Sequence, residues 1–271
     1  MKKVDLNDAV REPISGHTSK GDQPKWQVGQ KWYKADHMGY EALAEVVVSK
    51  LLEKSNVPDL VGYQPVLIGY QNQELQGCVS TNFRRKNESL IPLERLHRTY
   101  HGRGLAQTIG GMTEVADRIR YTVDFVGRVT GLTVVGPYLT TMLELDCFFL
   151  NEDRHTNNLA VIRNEESKEF RLCPIFDNGL ALLSDLNDYP LEADVYQCME
   201  RVRAKPFSQS FDEQVDAANQ LYGSFLKLSF TKRDVSEVLG GLSGFYSPNI
   251  IQRVERILLE QMRRYRIYFE G

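Results

Sequence analysis

The pattern of hydrophobic and polar positions predicts a strand-rich beginning to the chain. Alternating long and aromatic side chains over residues 31–35 are typical of a strand, and apolar positions at helical spacing predict a helix over residues 40–53. Two more strands are predicted over residues 60–70 and 74–81, on either side of a polar turn. Residues 15–29 contain glycines and a proline without periodicity, which predicts a mobile loop before the first of these strands.

The rest of the chain is predicted to be mostly helical. Apolar positions at helical spacing predict helices over residues 105–127, 136–150, 211–228 and 249–268. Residues 178–206 have no clear period and are predicted in part as a long loop. The predicted domain boundaries give an N-terminal arm over residues 1–14, a β-rich part over residues 15–90 and a helical part over residues 91–271.

Composition excludes several classes of protein. The chain has 271 residues, of which 42% are hydrophobic and 25% charged, as in ordinary globular proteins. Its net charge of −3 gives no general attraction to nucleic acid or anionic membranes, so we expect neither as a direct partner. The four cysteines are widely scattered, which predicts reduced, buried thiols. No signal-peptide core or membrane span is evident in the sequence, so we expect a cytoplasmic protein.

The candidate chemistry begins with a cluster of acidic and amide side chains. Asp153 and Asn158 stand in the spacing D-x-x-x-x-N, and Asp177 follows in the sequence F-D-N-G. The segment between Asn158 and Asp177 reads as strand, polar turn and strand, and such a hairpin returns the chain to its starting end. We therefore predict that Asn158 and Asp177 lie side by side.

A carboxylate and an amide together supply hard oxygen ligands, which suit Mg²⁺ on a nucleotide. Asp153, one loop earlier, is then placed to act as a catalytic base or to orient the nucleophile, as in the phosphoryl-transfer template. The alternative is purely structural, because Asp, Asn and Gly are common turn residues that bracket many hairpins.

A phosphoryl-transfer site also needs a cation for the phosphates, and Lys34 on the strand over residues 31–35 is the candidate. Glu41 and Glu45 share one face of the following helix, so either can pair with Lys34. We favour Glu45, which lies deeper in the helix. The alternative is that both glutamates are solvated and that Lys34 protects the edge of the sheet against aggregation.

Two further segments are candidates for nucleotide contacts. Residues 16–25 can cover phosphates with backbone N–H groups and a lysine, although a flexible surface loop explains them equally well. Residues 77–83 end a strand where the two parts of the chain meet, and their position suggests contacts with an adenine base. The residues of this second segment that we assign to the nucleotide are Ser80, Thr81, Asn82 and Phe83.

Together these residues resemble the HipA-like serine/threonine kinases of bacteria, a branch close to the phosphatidylinositol-3-kinase-like division of the protein-kinase fold. The D-x-H-x-x-N loop of that family is matched by Asp153, His155 and Asn158. Its metal-binding aspartate is matched by Asp177. The resemblance implies that His155 supports the catalytic loop and contacts the γ-phosphate.

The resemblance extends to the N-terminal part of the chain. The strand lysine of the family matches Lys34, and its helix glutamate matches Glu45 or Glu41. The family's phosphate-loop pattern, S-x-x-G-x-Q-x-K, is matched at Gly21, Gln23 and Lys25. The implied architecture is α+β and bilobal, with a small β-rich N-lobe and a larger α-helical C-lobe, and the implied cofactors are ATP and Mg²⁺.

The sequence departs from the family pattern at two places that matter for function. Known members autophosphorylate the serine of the phosphate loop, where this chain has Thr18 with Ser19 adjacent. The chain also reads D-R-H-x-x-N, with Arg154, where the family has D-D-H-x-x-N, and this spelling is closer to that of lipid kinases.

The resemblance implies an ATP- and Mg²⁺-dependent serine/threonine protein kinase that is capable of autophosphorylation. Its implied partners are a protein substrate and, because family members often act as toxins, a small antitoxin protein encoded beside it. The alternatives are a small-molecule or lipid kinase and a nucleotide-binding pseudokinase that regulates a partner.

Overall fold

The computed structural model describes residues 2–11 and 23–269. Its strands are β1 (Lys3–Asp5), β2 (Lys25–Val28), β3 (Lys31–Ala35), β4 (Tyr63–Tyr70), β5 (Gln73–Thr81), β6 (Glu88–Pro92), β7 (Ala160–Asn164) and β8 (Phe170–Leu172). Its helices are α1 (Glu41–Leu52), α2 (Leu93–His101), α3 (Leu105–Gly110), α4 (Val115–Thr130), α5 (Val135–Phe149), α6 (Val195–Arg201), α7 (Phe211–Tyr222), α8 (Lys232–Gly240) and α9 (Pro248–Arg264). A 3₁₀ turn follows at Arg266–Tyr268.

The chain folds into two compact units, each assembled from segments that are separate in the sequence. Unit 1 contains Met1–Asn82, Phe176–Arg201 and Lys227–Gly271, and unit 2 contains Phe83–Ile175 and Val202–Leu226. The segment that carries Asp177 therefore belongs to unit 1, whereas the loop that carries Asp153 belongs to unit 2. The division predicted at residue 90 stays a prediction.

Unit 1 is built on a five-stranded sheet in the order β1-β4-β5-β3-β2. The pair β1–β4 is parallel and the other pairs are antiparallel. Large apolar side chains cover one face of this sheet, and they include Trp26, Tyr33, Val66, Ile68 and Val79. Helix α1 packs on β4 and β5 and is buried on almost every side, which explains its nearly continuous apolar sequence.

Unit 2 combines a three-stranded antiparallel sheet, in the order β6-β7-β8, with a group of helices. Helix α5 is its most buried helix, and it packs against α4 and α7. Its C-cap residue, Leu150, has the left-handed conformation that ends a helix (φ 56°). The D-x-x-x-x-N loop begins directly after that turn, so a rigid helix fixes where the loop starts.

The sequence predictions of β3, β4, β5, α1, α5 and the β7–β8 hairpin are confirmed. The predicted helix over residues 105–127 is wrong in one respect, since Gly110 and Gly111 divide it into α3 and α4. The predicted helix over residues 211–228 stops at Tyr222 because Gly223 follows with φ 89°. The predicted helix over residues 249–268 ends at Arg264 and is followed by the 3₁₀ turn.

Several elements were not predicted from the sequence, namely β1, β2, β6, α2, α6 and α8. Strand β2 lies within the segment predicted as a mobile loop, and β1 lies within the predicted arm. Both are short strands that depend on pairing with β3 and β4.

The four cysteines are buried free thiols, as predicted. In the described ranges, no helix is long and apolar enough to cross a membrane.

Candidate functional site

The first group of predicted residues meets in unit 1, around Lys34. Its ammonium forms an ion pair with Glu45 Oε1 and lies 2.7 Å from Asp177 Oδ1. The second carboxylate oxygen of Glu45 accepts a hydrogen bond of 2.9 Å from the backbone N–H of Asn178. Glu45 thus fixes both the lysine and the backbone beside Asp177, and it does so at a position with no solvent exposure.

The geometry separates the two candidate glutamates. Glu45 pairs with Lys34, whereas the carboxylate of Glu41 accepts backbone N–H groups from the turn before α1. Those donors are His37, Met38 and Gly39. Glu41 therefore fixes the backbone at the start of α1. The ion pair with Lys34 is made by Glu45.

The charge of Lys34 is secured by its neighbours. Burial opposes the ammonium form, but the carboxylates of Asp177 and Glu45 outweigh that effect and hold the pKa of Lys34 well above its usual value. The raised pKa keeps Lys34 in its ammonium form at neutral pH. One ammonium faces two carboxylates, so the group carries one net negative charge when all three are ionised.

A second lysine shares the face of the sheet that carries Lys34. Lys25 and Lys34 are directly opposite each other in the antiparallel β2–β3 pair, and directly opposite residues point to the same face. Like charges in such positions destabilise a sheet unless something compensates them. Lys34 is compensated by carboxylates, while Lys25 has no hydrogen bond or ion pair to any described residue.

The buried amide of Gln23 also lacks a protein partner. Its Nε2 atom is buried and makes no hydrogen bond within the described part of the chain. An unsatisfied buried donor costs free energy, so this N–H group suits a ligand that accepts a hydrogen bond. Gly21 of the same predicted phosphate loop, and the predicted modification sites Thr18 and Ser19, lie outside the described residues.

The backbone after Asp177 is held in a strained conformation. Asp177, Leu182 and Leu183 all have positive φ values of 57–61°, which residues other than glycine rarely adopt. The turn is closed by a hydrogen bond of 2.6 Å from Ser184 Oγ to the carbonyl of Gly179. Strained residues of this kind cluster at functional sites, where the surrounding structure holds them in place.

The second group of predicted residues lies in unit 2, in the loop after α5. Arg154 and Asp146 form a fully buried ion pair with side-chain exposures of 0% and 1%. Arg154 Nε and Nη2 donate to the Asp146 carboxylate at 2.9 and 3.0 Å, and Asn151 Nδ2 donates to it at 2.9 Å. Burial raises the pKa of Asp146, and these donors oppose that shift. The pair anchors the loop to α5.

The burial of Arg154 gives the arginine of the D-R-H motif a structural role. The arginine of the motif points into the protein and binds Asp146, so it is not available to an acceptor. The likeness to the lipid-kinase spelling therefore carries no information about the acceptor. The loop is tied at a further point by Thr156, whose hydroxyl donates to Glu94 Oε2 at 2.8 Å.

Asp153 has three side-chain neighbours. Its Oδ2 lies 3.4 Å from Asn158 Nδ2 and 3.6 Å from His155 Nε2. Its Oδ1 lies 3.2 Å from the ammonium of Lys205, a residue that the sequence analysis did not identify. His155 Nδ1 accepts the backbone N–H of Asn157, which places the imidazole proton on Nε2, towards Asp153. That Nε2 atom is buried and has no hydrogen-bond partner among the described residues.

The side-chain oxygen of Asn158 is chemically suited to bind a magnesium ion. Asn158 Nδ2 donates to the Asp153 carbonyl at 2.8 Å, which identifies the other amide atom as the oxygen. Within the described ranges, no donor reaches that oxygen; the other predicted ligand, Asp177, belongs to unit 1. Hard oxygen ligands of this type, completed by water and phosphate oxygens, are what Mg²⁺ takes in nucleotide sites. No cluster of three or more His, Cys, Asp or Glu side chains suited to a metal is present in the described residues.

The residues predicted to contact adenine end strand β5 and continue past it. Ser80 and Thr81 are the last residues of β5, and the Asn82 N–H donates to the carbonyl of Gln30 at 2.8 Å. The carbonyl of Phe83 accepts Arg171 Nη2 at 3.1 Å. Their role in binding a base stays a prediction.

Lys205 and Asp146 were missed because nothing local in the sequence marks them. Lys205 is far from Asp153 in the chain and lies in a stretch without periodicity. Asp146 could have been noticed as one of two acidic residues, with Glu144, on the mostly apolar helix α5. A charge in such a helix implies a buried partner.

No protein-family profile matches this sequence, and no curated protein sequence matches it. Solved structures do match. The Helicobacter pylori proinflammatory kinase CtkA is similar with a TM-score of 0.65 at 17% identity, over 96% of this chain and 95% of that chain. HipA from the Shewanella oneidensis MR-1 toxin–antitoxin system, solved with HipB and its operator DNA, is similar with a TM-score of 0.50 at 11% identity, over 95% of this chain and 68% of that chain. The chain therefore has the fold of these kinases, which confirms the predicted α+β kinase-like fold and the resemblance to HipA-like kinases.

Proposed function

We propose that this protein is an ATP- and Mg²⁺-dependent serine/threonine protein kinase. The observation that carries the proposal is the buried ion pair between Lys34 and Glu45, with Asp177 in contact with the same ammonium. Such a lysine is fixed in position and held in its charged form, which is what phosphoryl transfer requires of a phosphate clamp. Lys25 and the unsatisfied amide of Gln23 add a second cation and a donor for the same phosphates.

The acceptor chemistry is assigned to the loop of unit 2. Asp153 accepts the proton of the acceptor hydroxyl as the acceptor oxygen forms its bond to the γ-phosphorus. The bond between the γ-phosphorus and the β–γ bridging oxygen breaks, and ADP leaves with that electron pair. His155 Nε2 carries the proton on its ring and is a donor for the transferred phosphoryl group.

By the resemblance, Asn158 and Asp177 are the proposed protein ligands of a magnesium ion, which would neutralise charge on the phosphates of ATP when bound. Glu45 is proposed to hold Lys34 and the backbone of Asn178 in fixed positions beside Asp177. Ser80, Thr81, Asn82 and Phe83 are the proposed adenine contacts.

Further properties follow from the resemblance. We propose autophosphorylation at Thr18 or Ser19, a protein substrate, an antitoxin protein as partner and a cytoplasmic location. The similar HipA structure contains HipB and operator DNA, which supports the antitoxin partner. Arg154 is buried against Asp146, so its side chain does not itself favour a lipid or small-molecule acceptor.

The proposal is tested by ADP release and by transfer of the labelled γ-phosphoryl group from ATP in the presence of Mg²⁺. Asp177→Ala removes a carboxylate from both Lys34 and the proposed metal, and we expect turnover to fall by at least about 10²-fold. Asp59→Ala is the matched control, because Asp59 is an exposed carboxylate in the same unit. Wild-type turnover in the Asp177→Ala variant would contradict the assignment.

A further inference from the structure

We propose that Lys205 is a positioning residue for the acceptor side of the reaction. It holds the carboxylate of Asp153 in the orientation that receives the acceptor proton. The inference rests on the proposed function and adds a residue that lies outside the sequence motifs. Both residues belong to unit 2, and Lys205 Nζ lies 3.2 Å from Asp153 Oδ1.

The contacts of Asp153 show why its orientation needs Lys205. The last side-chain torsion of an aspartate is broad, so the carboxylate plane is set by outside contacts. Lys205 makes the shortest side-chain contact, and it binds the oxygen that the other two neighbours do not approach. With Oδ1 held by Lys205, Oδ2 stays beside Asn158 and His155, where the transferred group is proposed to bind.

The burial of Asp153 is a second reason for its ion pair with Lys205. Its side chain is only 11% exposed, and a carboxylate removed from water needs a counter-charge. Among the described residues, Lys205 is the only lysine or arginine that pairs with Asp153. An exposed ion pair would be worth little, but one of these two charges is nearly buried.

The loop that carries Lys205 is itself fixed. The Ala204 N–H donates to the carbonyl of Gln209 at 3.0 Å, which closes a turn around Lys205. Arg118 on α4 donates from Nη1 to the carbonyl of Phe207 at 2.6 Å. Ala204 and Phe207 are buried on either side of Lys205. The backbone that carries Lys205 is therefore fixed by these contacts, which place its ammonium beside Asp153.

The test compares Lys205→Met with Lys205→Arg in the labelled-ATP assay. We expect Lys205→Met to lower kcat by about 10²-fold, as a misplaced catalytic group does, with an unchanged KM for MgATP. Lys205→Arg restores the positive charge and should recover most of kcat. Lys168→Met is the control, because Lys168 lies in the β7–β8 turn of the same unit and pairs with Glu165 at the surface.

A readout independent of turnover accompanies the assay. Removal of Lys205 leaves the Asp153 charge nearly buried and uncompensated, so the melting temperature should fall in Lys205→Met. It should recover in Lys205→Met/Asp153→Asn, where both charges are gone. Absence of that recovery would show that the two side chains are not coupled and would overturn the inference.

The kinetic outcomes separate the two proposals. Equal kcat in wild type and Lys205→Met, or equal losses in the Met and Arg variants, would overturn the role of Lys205 alone. A folded wild-type protein that transfers no phosphate would instead overturn the proposed function, together with the catalytic meaning of the pair.

Discussion

The two groups of functional side chains are held in place by different means. In unit 1, Lys34 and Glu45 stand on a strand and a helix, and their charges meet inside the protein. In unit 2, Asp153 stands on a loop, and its neighbours come from the same loop and from the turn at Lys205. The difference shows that regular structure can fix one group of candidate side chains while anchored loops fix another.

The anchoring of the two groups also differs in charge. The Lys34 group has two carboxylates for one ammonium, which favours a further cation such as Mg²⁺. The Asp153 loop is anchored by Arg154 and Asp146, whose charges balance each other away from the chemistry. The following changes separate what each group contributes to folding from what it contributes to transfer.

The largest effect is expected from Lys34→Met. It leaves Glu45 charged and fully buried, which should lower the free energy of unfolding by about 3–5 kcal/mol. Transfer should fall by at least about 10²-fold. In Lys34→Met/Glu45→Gln the buried charge is gone, so denaturant titrations should show most of the stability recovered while transfer stays lost. Recovery of transfer in the double variant would show that Lys34 acts only in folding.

The next effect concerns the anchor of the Asp153 loop. Arg154→Met removes the partner of a buried carboxylate and should cost about 3 kcal/mol of unfolding free energy. Urea titration measures this loss, and Arg120→Met, which breaks an exposed pair with Asp117, is the control. A loss no larger than that of the control would contradict the buried anchor. Arg154→Lys should be only a partial replacement, since lysine lacks the fork that binds Asp146.

A pH-dependent effect is expected at Asp36, which accepts the Ala42 N–H at 2.6 Å and the Tyr246 hydroxyl at 2.8 Å. Burial raises the pKa of Asp36 to about 8, so the folded state keeps the proton over a range in which the unfolded chain has lost it. This group therefore makes the unfolding free energy fall as pH rises from about 4 to about 8, by at most about 1.4 kcal/mol per pH unit.

Asp36→Asn should remove this contribution, and the difference between wild type and variant should grow in favour of the variant as pH rises. Chemical denaturation at a series of pH values measures it, with Asp59→Asn as the exposed control. Parallel pH profiles for wild type and Asp36→Asn would contradict the prediction.

The smallest effect lies outside both groups. Thr231 caps α8, with its hydroxyl accepting the Asp234 N–H and the Asp234 carboxylate accepting the Thr231 N–H. Thr231→Ala should lower the unfolding free energy by about 1 kcal/mol and leave transfer unchanged. A loss of transfer in this variant would mean that activity follows general stability and not the two groups.

The same comparison explains what the sequence could predict. Periodic patterns placed Lys34 on a strand and Glu45 on the helix that follows it, because a strand and a helix repeat at fixed intervals. The choice of Glu45 over Glu41 followed from depth along the helix, and the structure brings Glu45 to Lys34.

The features that the sequence could not predict are long-range. Lys205 contacts Asp153 from a turn that Arg118 holds in place. No local sequence pattern predicts this contact between distant residues. Strands β1 and β2 are too short to show alternation and form because neighbours pair with them. The return of residues 176–201 to unit 1 is likewise a matter of tertiary packing.

The most direct test is transfer from γ-labelled ATP with Mg²⁺, followed by mass spectrometry to locate the phosphate, in wild type and Asp153→Asn. We expect magnesium-dependent label on the wild-type protein, at Thr18 or Ser19, and none above background on the variant. Absence of label from wild type that binds ATP, or equal label on both proteins, would contradict it.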